Sequence, residues 1–121
     1  MTIRLLTLTL LLSAPLLPAC DDGGDEHEGP EVDCATATVP KFSEMTAWQK
    51  CTNCHSSTLT GAARNAAPEG INYDNFADAR TNAADAMHEV AEGEMPLPGS
   101  PQLTDAEKDQ IYAWASCGTP Q

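Results

Sequence analysis

The chain has 121 residues, with six Lys and Arg against eighteen Asp and Glu, a formal charge of -12. That length holds one small domain, and so acidic a chain is excluded as a reader of nucleic-acid phosphates. Eight of its eleven leucines lie in residues 1–19, and the other 102 residues hold only ten Leu, Ile, Val and Phe, so the domain either stays unfolded or builds its core around something other than protein.

Residues 1–19 read as a bacterial export leader. Arg4 opens it, and Leu5, Leu6, Leu8, Leu10, Leu11 and Leu12 form an apolar stretch too short to span a membrane. It closes on Leu17-Pro18-Ala19-Cys20, which resembles a lipobox, whose cysteine is acylated and becomes the mature N-terminus. The duller reading is an ordinary cleaved leader with Cys20 a leftover thiol. Lipid on Cys20 anchors a protein rather than threading it through the bilayer. The expected location is therefore the bacterial cell envelope, facing the periplasm. Residues 20–33 follow as an acidic, flexible tether: seven of the thirteen residues from Asp21 to Asp33 are acidic, and Gly and Pro interrupt them.

The folded domain is expected over residues 34–121. Ser43 can cap a helix running through Trp48 to about Cys54, with Phe42, Met45 and Trp48 recurring at helical spacing on its inner face. That helix carries Cys51-Thr52-Asn53-Cys54-His55, the C-x-x-C-H pattern of c-type haem attachment. Two thiols must reach two vinyl groups of one porphyrin, and two intervening residues set both sulfurs on one side of a helical turn. The histidine that follows then aims its imidazole at the iron as proximal ligand. A thioredoxin-like pair would need a βαβ pattern, which is absent, and a zinc site would need a fourth ligand, usually from a second pair.

Residues 56–73 read as loop, with Gly61, Pro68 and Gly70. Arg64 is the one basic residue there, expected either to pair with a haem propionate or to sit exposed. Asn72 and Tyr73 are further donors that can face the haem. Asp74 is placed to cap a short helix near Phe76, and a second helix follows from about Asn82 to Gly93, with Met87 in the core and His88 in solvent.

Gly93-Glu94-Met95-Pro96-Leu97-Pro98-Gly99-Ser100-Pro101 is a stretch no helix crosses. Its prolines stiffen the chain around Met95, the leading candidate for sixth ligand. Met45, Met87, His27 and His88 compete, as does an open sixth site. Thr104-Asp105-Ala106-Glu107 is a capping box that opens the last helix, Ile111, Trp114 and Ala115 form its buried stripe, and Gly118 suits its end. No strand pattern and no internal repeat occurs. With Cys20 assigned to lipid and Cys51 and Cys54 to thioethers, Cys34 and Cys117 are left to form a disulfide in an oxidising compartment, the alternative being two free thiols.

Cys51–His55, Gly93-Glu94-Met95-Pro96 and Leu103-Thr104…Glu107…Trp114 together resemble the small monohaem class I cytochromes c. The resemblance implies an all-α fold, three to five short helices and loops wrapped around one covalently bound haem c, with the last helix packed across the first. It implies a single-electron carrier rather than an enzyme, with His55 proximal and Met95 distal, and a monomer. Many relatives in that family ring the haem edge with lysines. Here residues 34–121 hold five basic residues and eleven acids, so the expected redox partner offers a basic or neutral docking face. Two other readings stay open: a haem-based sensor or peroxidase-like enzyme with an open sixth site, and an accessory haem subunit of a larger oxidoreductase.

Overall fold

The structure, a computed structural model, describes residues 29–121. The expected leader, Cys20 and the tether up to residue 28 lie outside the described residues. Four helices follow in order: α1 (Trp48–Cys51), α2 (Phe76–Thr81), α3 (Ala83–Ala91) and α4 (Asp105–Ser116), with 3-10 turns at Phe42–Glu44 and Gly61–Arg64. The described residues contain no strand, so the domain is all-α.

The single helix expected from Ser43 to Cys54 is not continuous. The chain makes one 3-10 turn, in which Glu44 accepts the Lys41 N–H at 3.0 Å, then Met45 swings to an extended conformation at φ -72, ψ 97. Helix resumes only at Trp48. The cause lies across the fold. Gln110 of α4 presents Oε1 to Thr46 N at 3.1 Å, Thr46 Oγ1 at 3.1 Å and Ala47 N at 3.3 Å. It thus satisfies donors that a helix start leaves orphaned, as a local N-cap residue would. Met45 therefore stands on a different segment from Cys51, although it is buried. Replacing Gln110 by alanine should cost about 1 kcal/mol, the usual worth of a lost cap, measured by urea denaturation.

The later elements start and stop for local reasons. The cap of α2 is Asn75, whose Oδ1 accepts from Asp78 N at 2.8 Å, rather than Asp74. The Asp74 carboxylate is engaged elsewhere, by Ser56 Oγ at 2.6 Å and by Ser57 N and Oγ, each at 2.9 Å. Helix α3 gives way at Gly93, where φ is +76, a conformation that costs a glycine little. The capping box of α4 forms as expected, with Thr104 N donating to Glu107 Oε2 at 2.7 Å and Glu107 N to Thr104 Oγ1 at 3.3 Å. Past its end, Gly118 takes φ +91.

Helix α4 packs against α3, and α2 against α3. Ala79, Ala83 and Ala86 are buried, and side chains that small let helices come close. Ile111 and Trp114 are fully buried as expected, joined by Ala113, whereas Ala115 only borders the core. The Trp114 ring meets Trp48 at 5.5 Å, Phe42 at 6.0 Å and Phe76 at 6.4 Å between centroids. Much of the core is thus aromatic, which compensates for the shortage of aliphatic residues.

The last helix also reaches the first by charge. Lys50 of α1 lies 2.6 Å from Glu107 of α4 and donates to the Gln102 carbonyl at 2.7 Å. The hydrogen bond from Lys50, backed by Thr104, brings the Glu107 carboxyl from 4.5 down to about 2. A folded pKa below the unfolded one contributes stability above pH 4.5 that is lost as pH falls towards 2. The stability gap between the parent protein and Glu107→Gln should therefore be largest near neutral pH and close through that acid window, measured by denaturation at several pH values.

Cys34 and Cys117 form a disulfide across a sequence separation of 83 residues. Residues 30–33, the end of the expected tether, line a shallow groove with α4.

Candidate functional site

The sequence signals separated by about forty residues converge on one cavity. It encloses about 590 Å³, and its wall includes Cys51, Cys54, His55 and Met95. That volume lies within the roughly 300–1,000 Å³ typical of cofactor and small-molecule sites. Most of the remaining wall is apolar, with Ile71, Val90, Leu97, Leu103 and Ile111 among its residues.

The motif sits where α1 ends. Thr52 N bonds to the Trp48 carbonyl and His55 N to the Cys51 carbonyl, each at 2.9 Å, so the helical turn runs on past Cys51 and holds the motif in one wound piece. Burial pushes the Cys51 thiol up to about 12. A thiol so reluctant to ionise is a poor redox thiolate. Among the described residues no group of three or more His, Cys, Asp or Glu is arranged to hold a metal ion.

His55 is oriented from behind. Its Nδ1 lies 3.2 Å from the Ile71 carbonyl oxygen. A carbonyl only accepts, so Nδ1 carries the proton and Nε2 keeps its lone pair. Burial, the larger influence, also lowers the His55 pKa and favours the neutral ring. Tyr73 supports the same ring edge-on at 5.5 Å and stacks on Trp48 at 4.7 Å. A neutral imidazole fixed by a hydrogen bond at one nitrogen is the usual preparation of a metal-binding histidine.

Met95 is held from two sides. Its N–H and that of Glu94 both donate to the Glu89 carbonyl, at 3.0 and 2.9 Å, tying the loop to the end of α3. Gln102 Nε2 donates to the carbonyls of Leu97 at 3.1 Å and Ser100 at 2.9 Å. A cis peptide bond joins Met95 to Pro96. Of the competing ligands, Met45 lies in the core and Met87 borders it, while His27 lies outside the described residues. His88 departs from expectation: it is half-buried and lines the cavity.

Arg64 matches neither role expected for it. It is 4% exposed, and all five N–H donors point at protein acceptors. Nε donates to Ala67 O at 3.1 Å, Nη1 to Ser56 O at 2.6 Å and Asn72 Oδ1 at 3.0 Å, and Nη2 to Pro68 O at 2.6 Å and Ile71 O at 3.1 Å. No donor is left for a propionate. Asn72 is committed as well, its Nδ2 donating to Asp78 Oδ2 at 2.6 Å. The arginine is the internal scaffold of the loop between the C-x-x-C-H motif and α2.

The chain matches no protein-family model, no curated protein and no solved structure. The fit of a haem therefore rests on the cavity itself. Two thiols, a neutral imidazole and a thioether on an apolar wall are the donor set a c-type haem takes. Trp48 also lines this cavity, and its Nε1–H is buried with no hydrogen-bond partner among the described residues.

Proposed function

We propose that this chain is a single-electron carrier of the class I cytochrome c type, using one haem c held by Cys51 and Cys54 with His55 and Met95 as axial ligands. The observation that carries the reading is the convergence of those four side chains on one apolar cavity. When bound, such a haem supplies an iron that cycles between ferric and ferrous states and so takes up or gives one electron.

The chain's own residues do the rest. Cys51 and Cys54 fix the group covalently to the turn after α1. His55 offers Nε2 because the Ile71 carbonyl holds its Nδ1 proton. The anchored Met95 loop presents a soft sulfur, a ligand that raises the potential. Apolar side chains such as Ile71, Val90 and Leu103 keep water from the site, which limits reorganisation when the charge changes. The acidic domain favours a redox partner with a basic or neutral face. Lipid at Cys20, followed by the acidic tether, would hold the domain at the envelope membrane within reach of donor and acceptor. Among the described residues no helix is long and apolar enough to cross a membrane.

The test is the visible spectrum of the protein made in a host with haem-attachment machinery, recorded oxidised and reduced. A low-spin c-type spectrum with the weak red band of methionine on ferric iron is expected. A high-spin spectrum would favour sensing or peroxide chemistry, and no haem band would overturn the reading.

A further inference from the structure

We propose that Arg64 is a positioning residue that tunes the proximal ligand through a shared carbonyl, raising the reduction potential of the bound haem. The inference rests on the haem reading above and assigns a role to a residue that makes no contact with the cofactor.

The Ile71 carbonyl oxygen stands 3.2 Å from His55 Nδ1 and 3.1 Å from Arg64 Nη2. A carbonyl oxygen has two lone pairs and can take both. The two donors are unequal, because the guanidinium hydrogen bond is charge-assisted and draws electron density from that oxygen. An oxygen drained on one side pulls less on the imidazole N–H at the other. The ring then has less imidazolate character and is a weaker donor to iron. A weaker donor stabilises the ferric state less, so the ferrous state gains.

The surroundings keep the cation at that carbonyl. Arg64 is buried, and none of its five acceptors is a carboxylate, so among the described residues no carboxylate neutralises it by direct hydrogen bonding. Its Nη1 also grips the carbonyl of Ser56, the residue after His55. One guanidinium therefore ties together the strand of chain that carries the histidine and the strand that carries its acceptor. The charge acts in the same sense as the hydrogen bond, since a nearby cation disfavours the ferric iron.

The experiment uses the haem-loaded protein and the Arg64→Lys variant, which keeps the charge but cannot reproduce the planar five-donor fork. The potential of Arg64→Lys should fall by about a tenfold change in the reduction equilibrium, 59 mV for one electron. In a Met95→Ala/His88→Ala background, where His55 is the iron's protein ligand, Arg64→Lys should also raise the Fe–His stretching frequency in the ferrous resonance Raman spectrum. A merely structural arginine would leave that frequency unmoved. Should the variant fail to fold, the unmodified ferrous protein still decides: NMR should show couplings across hydrogen bonds to the Ile71 carbonyl from both His55 Nδ1 and Arg64 Nη2. A coupling from His55 alone, or an unchanged potential and stretch in a folded variant, overturns the inference while the carrier reading stands. Absence of attached haem in the parent protein overturns both.

Discussion

Replacing Met95 by alanine should abolish the weak red band of the ferric protein and lower its potential by more than a tenfold change in the reduction equilibrium, over about 59 mV. The haem should stay attached, because the proposed thioethers would be made by Cys51 and Cys54. The prediction separates electron transfer from chemistry at an open iron. If methionine fills the sixth position, its loss exposes the iron, and the variant should gain affinity for small ligands such as cyanide. The structure adds a condition. His88 lines the same cavity as Met95, and α3, which carries it, is tied to the Met95 loop at Glu89. A Met95→Ala protein that stays low-spin without the red band has recruited His88, and Met95→Ala/His88→Ala should then be high-spin. A parent protein whose spectrum ignores the loss of Met95 would remove this residue from the iron.

The parts of the fold that were legible in the sequence depend on near neighbours. Thr104 and Glu107 are three residues apart, and their reciprocal hydrogen bonds form as the pattern implies. The stop of α3 at Gly93 follows from one residue's conformational freedom. The parts that were not legible depend on distant partners. The break at Met45 has its counterpart in Gln110, more than sixty residues away, whose amide serves the helix start. The burial of Arg64 could not be foreseen, because four of its five acceptors are main-chain carbonyls, identical in every residue and invisible in a side-chain pattern. The exchange of Asp74 for Asn75 as the cap of α2 has the same origin: Ser56 and Ser57 engage the Asp74 carboxylate from across the loop. The site divides likewise. The C-x-x-C-H spacing and the proline-rich loop name Cys51, Cys54, His55 and Met95 directly. The residues that hold His55 and Met95 in place, Ile71, Glu89 and Gln102, carry no motif, two of them acting through backbone carbonyls.

Removing the disulfide should be the costliest change outside the cavity. In the chain-entropy model, a cross-link closing a loop of 83 residues contributes about 4.5 kcal/mol by restricting the unfolded chain. Small domains have only about 5–15 kcal/mol of net stability, and this one has few aliphatic residues to draw on. The native contacts around the bridge point the same way. Phe42 N donates to the Pro120 carbonyl at 2.9 Å, and Trp114 Nε1 donates to that same oxygen at 2.8 Å. The C-terminal residues thereby cover the junction where Phe42, Trp114 and Phe76 meet, and the disulfide pins them there. A Cys34→Ser/Cys117→Ser protein should lose about 4.5 kcal/mol in urea denaturation. The proposed haem, once attached, should offset part of that loss, because a covalently held group would organise the core from inside. The apo double variant should therefore be far less stable than the haem-loaded one. In the haem-loaded parent protein, alkylation without reduction should find no free thiol in residues 34–121, since Cys34 and Cys117 are bridged and the proposed attachment would turn Cys51 and Cys54 into thioethers. Two alkylated residues at Cys34 and Cys117, with unchanged stability on their replacement, would show that the ends are held by packing and hydrogen bonds instead.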